Sequence, residues 1–366
     1  MVKNILVLNA GSSSLKFAVH AADDFSLIVK GQVSSIGSQA QLIVGGAADD
    51  LPLVKDMEDA QAVLLEWLED NHASPKDLIG IGHRIVHGGS VYVQPCRVDD
   101  RILGELDALR KLAPLHLPFG LGVLRQVRQL RPHLPHIACF DTAFHATQPE
   151  LVTRLPIPRP YFDKGYRRYG FHGLNYEHVV DALPKLTGKP LPRRILAAHL
   201  GSGASMCAIL DGKSVGTTMG FSTADGLVMG TRTGSIDPGV LVALMRDEHL
   251  SLDELEDLLY RKSGLLGLSG ISADMKELLA SDRKEAAEAV DYYCYSAARH
   301  AASLVPALGG LDAIVFTGGV GENSEPVRAR ILSHLNWLNV PVDAVHVVAA
   351  NEELTIARHV ARVLAT

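Results

Sequence analysis

Two arginines stand in surroundings that solubility does not explain. Arg84 lies in the apolar stretch "GHRIVHGG", and Arg232 lies among small residues in "GLVMGTRTGSIDP". An arginine in such surroundings is either a buried salt-bridge partner or a ligand for an anion. Phosphoryl transfer needs an anion clamp of this kind, because negative charge spreads over the oxygens of the transferring group. The two arginines therefore make phosphate chemistry the first hypothesis.

Side-chain oxygens occur at places that suit the same chemistry. Asp141 follows the apolar run "HIACF", a position where a carboxylate tends to be a metal ligand or a base. Asn9 and Glu352 could add oxygen ligands for Mg²⁺. For Glu352, a helix N-terminus capped by Asn351 is the competing interpretation.

Two histidines lie in loops framed by proline and glycine. His116 is in "LAPLHLP" and His172 is in "YGFHG". Each could act at a site, although a hydrogen-bonded structural histidine is the alternative for each one alone. The sequence contains no H-E-x-x-H or comparable spacing, so the histidines do not predict a metal centre.

Two segments share one pattern of a strand, a tip of small residues and a second strand. They are "KNILVLNAGSSSLKFAVH", from Lys3, and "RRILAAHLGSGASMCAIL", from Arg193. Backbone N–H groups and hydroxyls at such tips suit an anion, although a plain polar turn explains each tip alone. The P-loop pattern is absent. Because the flanking apolar runs also match, the sequence indicates a duplication with one phosphate hairpin in each half.

A third glycine-rich segment, "FTGGVGEN" from Phe316 to Asn323, follows the apolar run "LDAIV". Its three glycines would let a turn of backbone lie flat against a nucleotide base or ribose. Glycine turns after strands are common. The segment therefore predicts nucleotide binding only in combination with the two phosphate hairpins.

The elements that must position these residues form two similar halves. The first half predicts strands in hairpins, a helix from Met57 to Asp70, a strand in "LIGIGHRIVHGG", two helical segments and a strand in "HIACFDTAF". The second half predicts strands in "SMCAILDGKSVGTT", several helices, a strand in "LDAIVFTGGVGENS" and further helices from Glu325 and from about Glu352. This order favours an α/β protein with mixed sheets flanked by helices.

The domain boundaries follow from the same pattern. The proline-rich segment "RLPIPRPYF", from Arg154 to Phe162, is the expected crossing between the halves. We expect a first domain over residues 1–150 on the phosphate and substrate side and a second over 151–350 that binds nucleotide. We expect residues 351–366 to form a C-terminal helix that returns to the first domain.

Composition narrows the class of protein. The chain has 366 residues, 47% of them apolar, and a formal net charge of -6. That balance gives no reason to expect binding to nucleic acid or to a membrane surface. The four cysteines lack C-x-x-C spacing and predict buried thiols in a reducing compartment. With no apolar run long enough for a signal peptide or a membrane span, the sequence predicts a cytoplasmic protein.

In order along the chain, the motifs resemble those of acetate kinases. They are "NAGSSSLK", "GHRIVHGG", "LAPLH", "FDTAFH", "RRYGFHG", "HLGSGAS", "TMGF", "MGTRTG", "FTGGVGEN" and "NEELTIA". The resemblance spans Asn9 to Ala357. It implies duplicated actin-like ATPase domains of the ribonuclease H-like type, with the nucleotide in the interdomain cleft. It also implies reversible transfer of the ATP γ-phosphoryl group to acetate, a Mg²⁺ requirement with Mn²⁺ as a substitute, and a homodimer.

Site roles follow from the resemblance position by position. Asp141, Arg84, Arg232, His172 and His116 match catalytic residues, and His172 and Arg232 match groups that stabilise the transition state. Asn9 and Glu352 match the magnesium site. Val86, Leu115, Phe171 and Thr223, with Arg84, match the substrate pocket. The residues that match ATP-binding positions are Ser12, Ser14, Lys16, His199, Leu200, Gly201, Ser202, Gly203, Asp274, Met275, Lys276, Gly318, Gly319, Val320, Gly321 and Glu322.

The chain departs from the family pattern at several of these motifs. Ser202 replaces an asparagine of the second hairpin, and Lys276 replaces an arginine, which loses planar stacking on a base. Leu174, Asn175 and Tyr176 replace T-S-H after Gly173. The other departures are Leu117 for asparagine, Ser235 for an acidic residue and Thr223 for a pocket proline. These changes leave the acid that the enzyme prefers, acetate or propionate, open.

Two further functions compete with a carboxylate kinase. A sugar or polyol kinase of the same fold would use Asp141 as a general base toward an alcohol. The paired arginines argue against it, because a neutral alcohol has no charge to neutralise. A non-catalytic ATP-dependent switch is the other alternative, and the retention of Arg84, Asp141 and Arg232 argues against that.

Overall fold

Apolar residues in the first strand of the chain, from Asn4 to Ala10, are buried on both faces and place that strand inside a sheet. The structure is a computed structural model, and it describes residues 3–11, 13–71 and 77–366. A strand buried on both faces reads as a continuous apolar run rather than an alternating one. "NILVLNA" is such a run, which explains why the sequence predicts this strand clearly.

The described residues form strands and α-helices, each numbered here in the order of the sequence. The strands are β1 (Asn4–Ala10), β2 (Leu15–Ala21), β3 (Leu27–Ser34), β4 (Gln41–Val44), β5 (Ala47–Asp50), β6 (Leu78–Ile85), β7 (Cys96–Arg97), β8 (His136–Phe140), β9 (Arg194–Leu200), β10 (Ala204–Leu210), β11 (Lys213–Thr217), β12 (Ala313–Thr317) and β13 (Val345–Val347). The helices are α1 (Met57–Asn71), α2 (Asp100–Asp107), α3 (Leu117–Leu130), α4 (Glu150–Thr153), α5 (Arg159–Asp163), α6 (Gly173–Thr187), α7 (Pro238–Asp247), α8 (Leu252–Arg261), α9 (Gly264–Ser269), α10 (Met275–Leu279), α11 (Lys284–Leu308), α12 (Gly318–Asn323), α13 (Glu325–His334) and α14 (Glu352–Ala365).

The chain divides into two compact units. The first consists of Met1–Ala143 with Asn351–Thr366, and the second of Phe144–Ala350. The break lies at Ala143/Phe144. The proline-rich segment Arg154 to Phe162 lies inside the second unit, where part of it forms the short helix α5.

The first unit contains a mixed sheet of eight strands, in the order β5-β4-β3-β2-β1-β6-β8-β7. β1 pairs antiparallel with β2 and parallel with β6, and β6 pairs parallel with β8. The carboxyl ends of β1, β6 and β8 therefore meet at one edge of the sheet. Two apolar cores pack on the sheet, one with α1 and one with α2, and α3 contributes residues to both.

The second unit contains a mixed sheet of five strands, in the order β11-β10-β9-β12-β13. β9 pairs antiparallel with β10 and parallel with β12, as β1 does with β2 and β6. The five strands β3-β2-β1-β6-β8 of the first sheet thus have the same order and directions as the whole second sheet. This match supports the duplication that the two hairpin segments predicted, and the α/β class with mixed sheets flanked by helices is confirmed.

The segment "FTGGVGEN" differs from its predicted structure. β12 ends at Thr317, and Gly318–Asn323 form the helix α12 rather than a glycine turn. Three glycines disfavour a helix, so the helix depends on tertiary contacts. Arg328 of α13 provides them, because its Nη1 donates to the carbonyl oxygens of Gly321 at 2.9 Å and Glu322 at 2.8 Å.

The C-terminal helix α14 packs on the first sheet over two glycines of β6. A Cβ atom on Gly82 would lie 2.4 Å from Ile356 Cγ2 and 2.8 Å from Val360 Cγ2, and one on Gly80 would lie 3.1 Å from Val360 Cγ1. Ile356 and Val360 are fully buried. The glycines of β6 therefore let α14 approach the strand that carries Arg84.

No helix in the described ranges is long and apolar enough to span a membrane.

This close approach gives a stability prediction. Gly82→Ala overpacks the contact and should lower the free energy of unfolding by about 1–3 kcal/mol. In a background with Ile356→Ala, the added methyl group finds space, and its cost should shrink. Urea unfolding of the unsubstituted protein, the two single variants and the double variant measures both effects.

Gly104→Ala is the control, since a Cβ on Gly104 in α2 meets nothing within 4 Å. That change should stabilise the protein by about 0.5–1 kcal/mol, because alanine favours a helix over glycine. A Gly82→Ala cost that is unaffected by Ile356→Ala would contradict the packing described here.

Candidate active site

The shared edge of β1, β6 and β8 brings three polar side chains together in the first unit. Asn9 lies near the end of β1, Arg84 near the end of β6, and Asp141 directly after β8. Glu352, the first residue of α14, completes the group. Parallel pairing of adjacent strands places these positions side by side, although they are far apart in the sequence.

Arg84 is the centre of this cluster. Its Nη1 donates to Asn9 Oδ1 at 3.1 Å, and its Nε donates to Asp141 Oδ1 at 3.1 Å while Nη2 contacts Asp141 Oδ2. Glu352 Oε2 lies 3.4 Å from Arg84 Nε and accepts from Asn9 Nδ2 at 3.3 Å. Both oxygens of Asp141 are thus engaged by one guanidinium in a two-point contact.

The charges of the cluster do not balance. Burial lowers the pKa of Arg84, but the carboxylates of Asp141 and Glu352 outweigh it and raise the pKa above the usual range. Burial also raises the pKa of Asp141 to about 6, Glu352 adds to the increase, and Arg84 opposes it. Two carboxylates face one guanidinium, so the site carries an excess of negative charge that favours a further cation.

The donor set fits a divalent ion that shares its ligands with a substrate. Within the described part of the chain, no three His, Cys, Asp or Glu side chains cluster so as to hold a metal ion by themselves. Mg²⁺, however, is usually held by one or two carboxylates together with phosphate oxygens and water. The amide oxygen of Asn9, the carboxylate of Glu352 and the excess negative charge meet that requirement.

The remaining first-unit candidates lie near these elements. Lys16 of β2 pairs with Asn9 across the hairpin, and its side chain is exposed. At the hairpin tip, the N–H of Gly11 donates to the carbonyl of Ser14 at 2.8 Å, and Ser12 lies outside the described residues. His116 directly precedes α3. Gly120 of this helix packs closely on the Arg84 backbone, because a Cβ atom on Gly120 would lie 3.2 Å from the Arg84 carbonyl oxygen.

The substrate-pocket candidates divide between the units. Val86 is half-buried against the core of α2 and α3, and Leu115 is half-buried just before α3. Phe171 and Thr223 are buried in the second unit. Leu117, one of the departures from the family pattern, is fully buried in that first-unit core. The leucine there therefore contributes to packing.

In the second unit, two functional candidates flank the second hairpin. The N–H of Gly201 donates to the carbonyl of Gly203 at 3.0 Å and closes the tip between β9 and β10. A Cβ atom on Gly203 would lie 3.2 Å from Arg232 Nη2 and 3.4 Å from His172 Nε2. A guanidinium and an imidazole thus converge on this turn, which is the arrangement that an oxyanion needs.

Backbone strain marks the position of His172. It adopts a left-handed conformation with φ 59° directly before α6, which few non-glycine residues do. The preceding carbonyl, of Phe171, interacts at 2.9 Å with Nε2 of the buried His145. Burial lowers the pKa of His145 to about 4 and keeps it neutral. The His172 ring stacks on that of His199 with centroids 4.1 Å apart.

The loop that carries Arg232 is closed by hydrogen bonds. Arg232 Nη1 donates to the Thr223 carbonyl at 2.7 Å. The Ser235 hydroxyl donates to Asp225 Oδ1 at 2.8 Å, and Asp225 Oδ2 accepts from Arg168 at 3.2 Å. Ser235 stands where the family has an acidic residue. Its hydroxyl donates to the Asp225 carboxylate, whereas an acidic side chain at position 235 would repel that carboxylate.

A cavity of about 400 Å³ lies beside the hairpin, within the second unit. Asp274 caps α10 at its wall by accepting from the N–H groups of Lys276 and Glu277. Lys276 is exposed. The candidates that line the cavity are Gly201, Ser202, Asp274, Met275, Lys276, Gly319 and Val320.

Other candidates in this region lie outside the cavity lining. His199, Leu200, Gly203, Gly318, Gly321 and Glu322 are not among the lining residues described. The carboxylate of Glu322 instead accepts from the Ala350 N–H at 2.9 Å. Asn323, the last residue of the segment "FTGGVGEN", also lines the cavity. The lining residues that the sequence did not reveal are Leu265, Ala273, Leu279, Tyr293 and Ser324. Most belong to helices, where no local motif distinguishes a cavity wall from a core face.

Comparison with known proteins identifies the family of this chain. The model of the Acetokinase family matches residues 4–365. An acetate kinase from Rhodopseudomonas palustris is 43% identical over 389 aligned residues, covering 98% of each chain. An acetate kinase structure from Porphyromonas gingivalis superposes with a TM-score of 0.90 at 31% identity, covering 99% of this chain and 100% of that one. A propionate kinase structure from Francisella tularensis also gives 0.90, at 33% identity and 98% coverage of both.

These matches confirm the resemblance seen in the motifs. The fold is that of the acetate and propionate kinases. The chain belongs to the acetokinase family.

The contact between Arg84 and Asp141 should appear as a coupling energy between the two residues. Asp141→Asn or Arg84→Met alone leaves a largely buried charge with fewer partners and should cost about 3–5 kcal/mol of unfolding free energy. The double variant should cost less than the sum, with a coupling of about 0.5–3 kcal/mol. Urea unfolding of the four proteins measures the cycle.

The exposed pair Arg101–Glu105, with side chains 67% and 45% exposed, is the control cycle. Its coupling should not exceed about 0.5 kcal/mol, the range for surface pairs one helical turn apart. Additive costs at Arg84 and Asp141 would contradict a direct pairing.

Proposed function

We propose that this protein is an acetate kinase, which transfers the γ-phosphoryl group of ATP reversibly to acetate and forms acetyl phosphate and ADP. The observation that carries the proposal is the convergence of Arg232 Nη2 and His172 Nε2 on the Gly201–Gly203 turn. Such a turn suits phosphate, and the two side chains supply donors for its charge. The names of the relatives point to the same reaction.

A carboxylate acceptor needs charge neutralisation rather than a base. The acid is already ionised at neutral pH, so the barrier comes from repulsion between two anions. We assign Arg84 and Arg232 to hold the acid and the transferring group, with Lys16 and His116 nearby on the substrate side. An acid oxygen attacks γ-phosphorus in line, the bond to the bridging oxygen of ADP breaks, and Arg232 and His172 stabilise the charge.

Asp141 acts in this proposal by fixing Arg84. Both of its oxygens are engaged by the guanidinium, which sets the plane that Arg84 presents. Asn9 and Glu352 are the residues that would hold Mg²⁺, or Mn²⁺ in its place. When bound, the ion supplies positive charge to the phosphate oxygens.

The cavity beside α10 is the proposed adenosine site. Its volume of about 400 Å³ lies in the range of small-molecule sites. Gly319 and Val320 of α12 would lie against the nucleotide, and Lys276 at the entrance replaces a stacking arginine with a flexible charge. Ser12 and Ser14 remain proposed phosphate contacts by resemblance.

Two wider proposals follow from the family. A homodimer is expected, and α7 supports it: within the described monomer this helix has no buried residue, and Val240, Val242 and Met245 are exposed. A second copy would cover those apolar side chains. We also expect a cytoplasmic location and no nucleic-acid or membrane partner.

The competing alcohol kinase is disfavoured by the same contacts. A general base needs a lone pair free for the proton it accepts. Both oxygens of the fully buried Asp141 contact the Arg84 guanidinium, so its carboxylate is directed at the arginine rather than at an acceptor hydroxyl. A carboxylate kinase does not need that base, and this favours the acid as the acceptor.

The reaction itself is the first test. Protein incubated with MgATP, hydroxylamine and a panel of short acids, hexoses and polyols should give a hydroxamate from acetate and no sugar phosphate. Hydroxylamine traps only acyl phosphates. Phosphorylation of a hexose or polyol without any hydroxamate would overturn the proposal, and no turnover of any acceptor would support the non-catalytic switch.

The choice of acid gives a second prediction, centred on Thr223. Threonine replaces the rigid apolar ring of the family proline with a rotatable side chain that carries a hydroxyl, so the pocket should hold acetate less selectively. Propionate should reach a kcat/KM within about tenfold of acetate, since one methylene is worth about 1–3 kcal/mol. Butyrate should be clearly worse, because the branched Val86 still limits length. Thr223→Pro should shift the preference back to acetate.

Thr223→Pro should leave the hydrogen bond from Arg232 in place. Proline keeps the carbonyl that accepts from Arg232, and no hydrogen bond donated by the Thr223 N–H occurs in the described structure. A kcat/KM series over two-, three- and four-carbon acids compares the two proteins. Identical chain-length profiles would show that Thr223 does not contact the substrate.

A further inference from the structure

The stacked rings of His172 and His199 are both supported by the first turn of α6. The rings lie 4.1 Å apart at an angle of 14°. Two imidazolium rings at that distance would repel each other strongly. The partners of the ring nitrogens therefore decide which charge state and which tautomer the pair adopts.

A chain of hydroxyl groups leads to His172. Its Nδ1 lies 2.9 Å from Ser205 Oγ, and Ser205 Oγ lies 2.6 Å from the hydroxyl of Tyr176. Tyr176 and Ser205 are fully buried. Burial also raises the pKa of Tyr176 well above its usual range, so this phenol stays protonated.

The hydrogen bonds from Tyr176 through Ser205 to His172 can run in only one direction. If Tyr176 donates to Ser205 and Ser205 donates to His172 Nδ1, each hydroxyl hydrogen has an acceptor. In the reverse direction, the Tyr176 hydrogen would need another acceptor. Its other hydrogen bond in the described residues, to the His199 backbone, lowers the pKa of Tyr176 as an N–H donor does, so it does not supply one. A buried donor without a partner costs about 1–3 kcal/mol. His172 Nδ1 is therefore an acceptor, and the ring proton is on Nε2.

His199 is held in the same way by the neighbouring residue. Asn175 Nδ2 donates to His199 Nδ1 at 2.9 Å and to Thr317 Oγ1 at 3.1 Å. Asn175 is fully buried, and its Oδ1 has no partner within the described structure. The opposite amide orientation would leave two N–H donors without partners instead of one oxygen, so the amide donates. His199 Nδ1 is then also an acceptor.

We propose that Tyr176, through Ser205, and Asn175 are positioning residues that hold His172 and His199 neutral with the ring proton on Nε2. Their effect is to turn an N–H of His172 toward the Gly201–Gly203 turn, where its Nε2 lies beside Gly203. An N–H can donate to a phosphate oxygen, whereas a bare nitrogen would repel it. The inference rests on the proposed phosphoryl transfer for its catalytic consequence, but the tautomer does not depend on it.

The two residues are positions at which this chain departs from the family motif. After His172 and Gly173 it has Leu174, Asn175 and Tyr176 in place of T-S-H. The contacts give these departures a shared explanation, because both polar residues donate hydrogen bonds toward the histidine pair. Leu174 is buried and contributes no polar contact to either ring.

The direct test is nitrogen NMR of the full-length protein at neutral pH, labelled on histidine and assigned with His172→Gln and His199→Gln. The expected result is a neutral ring protonated on Nε2 for both residues. In Asn175→Asp the acceptor replaces the donor, and the proton of His199 should appear on Nδ1. An Nδ1 proton or an imidazolium on either ring of the unsubstituted protein would overturn the proposal.

Kinetics provide the second readout. Ser205→Ala and Tyr176→Phe should lower kcat for acetyl phosphate formation by about 10- to 100-fold, the range for removing a group that orients a functional imidazole. KM for acetate and for ATP should stay within about twofold. Tyr169→Phe is the control. It removes a hydroxyl that donates to the Gly165 carbonyl at 2.9 Å and does not belong to the hydrogen bonds between Tyr176, Ser205 and His172.

The possible failures are distinguishable. Unchanged kcat in both Ser205→Ala and Tyr176→Phe would overturn the positioning role, even if the NMR result is as expected. A protein that phosphorylates no acid would defeat the proposed function, while the NMR spectra would still decide the tautomers. A fall in KM and kcat shared with Tyr169→Phe would indicate a general loss of structure and also count against the proposal.

Discussion

The first unit depends on one largely buried cation, the guanidinium of Arg84. Arg84 presents its N–H donors in a fixed plane, and they engage Asn9 of β1, Asp141 directly after β8, and Glu352 of α14. A buried guanidinium is tolerated only when its partners are in place. The parallel order β1-β6-β8 and the packing of α14 over Gly80 and Gly82 are therefore the conditions under which this charge can exist.

The second unit uses the same topology for a different purpose. Its first hairpin tip is built of Gly201, Ser202 and Gly203, and the approach of Arg232 and His172 to Gly203 leaves little space for a side chain there. The first-unit hairpin instead pairs Lys16 with Asn9 and leads into the Arg84 cluster. Duplication thus supplies two copies of one scaffold, and the side chains at the strand ends give each copy its own chemistry.

The departures from the family pattern are accommodated by their neighbours. Ser235 donates to Asp225, whose other oxygen pairs with Arg168. Leu117 fills an apolar core. Asn175 donates to His199, and Tyr176 reaches His172 through Ser205. In each case a change in one side chain is matched by a local contact, which is how a site keeps its geometry while its sequence varies.

The sequence by itself determined the class and the family. Long apolar runs in "NILVLNA" and "RILAAHL" marked buried central strands, and ten ordered motifs marked the acetokinase family, because strand burial and close ligand contact restrict residue types locally. The tertiary structure alone decided which groups touch. The helix Gly318–Asn323 runs against its glycine content and depends on Arg328. Three further features join residues that are distant in sequence. They are the contact of Arg84 with both Asp141 oxygens, the cavity wall at Tyr293, and the hydrogen bonds of Asn175 and Ser205 to the histidine ring nitrogens. Contacts between such residues are set by packing, which no local sequence pattern encodes.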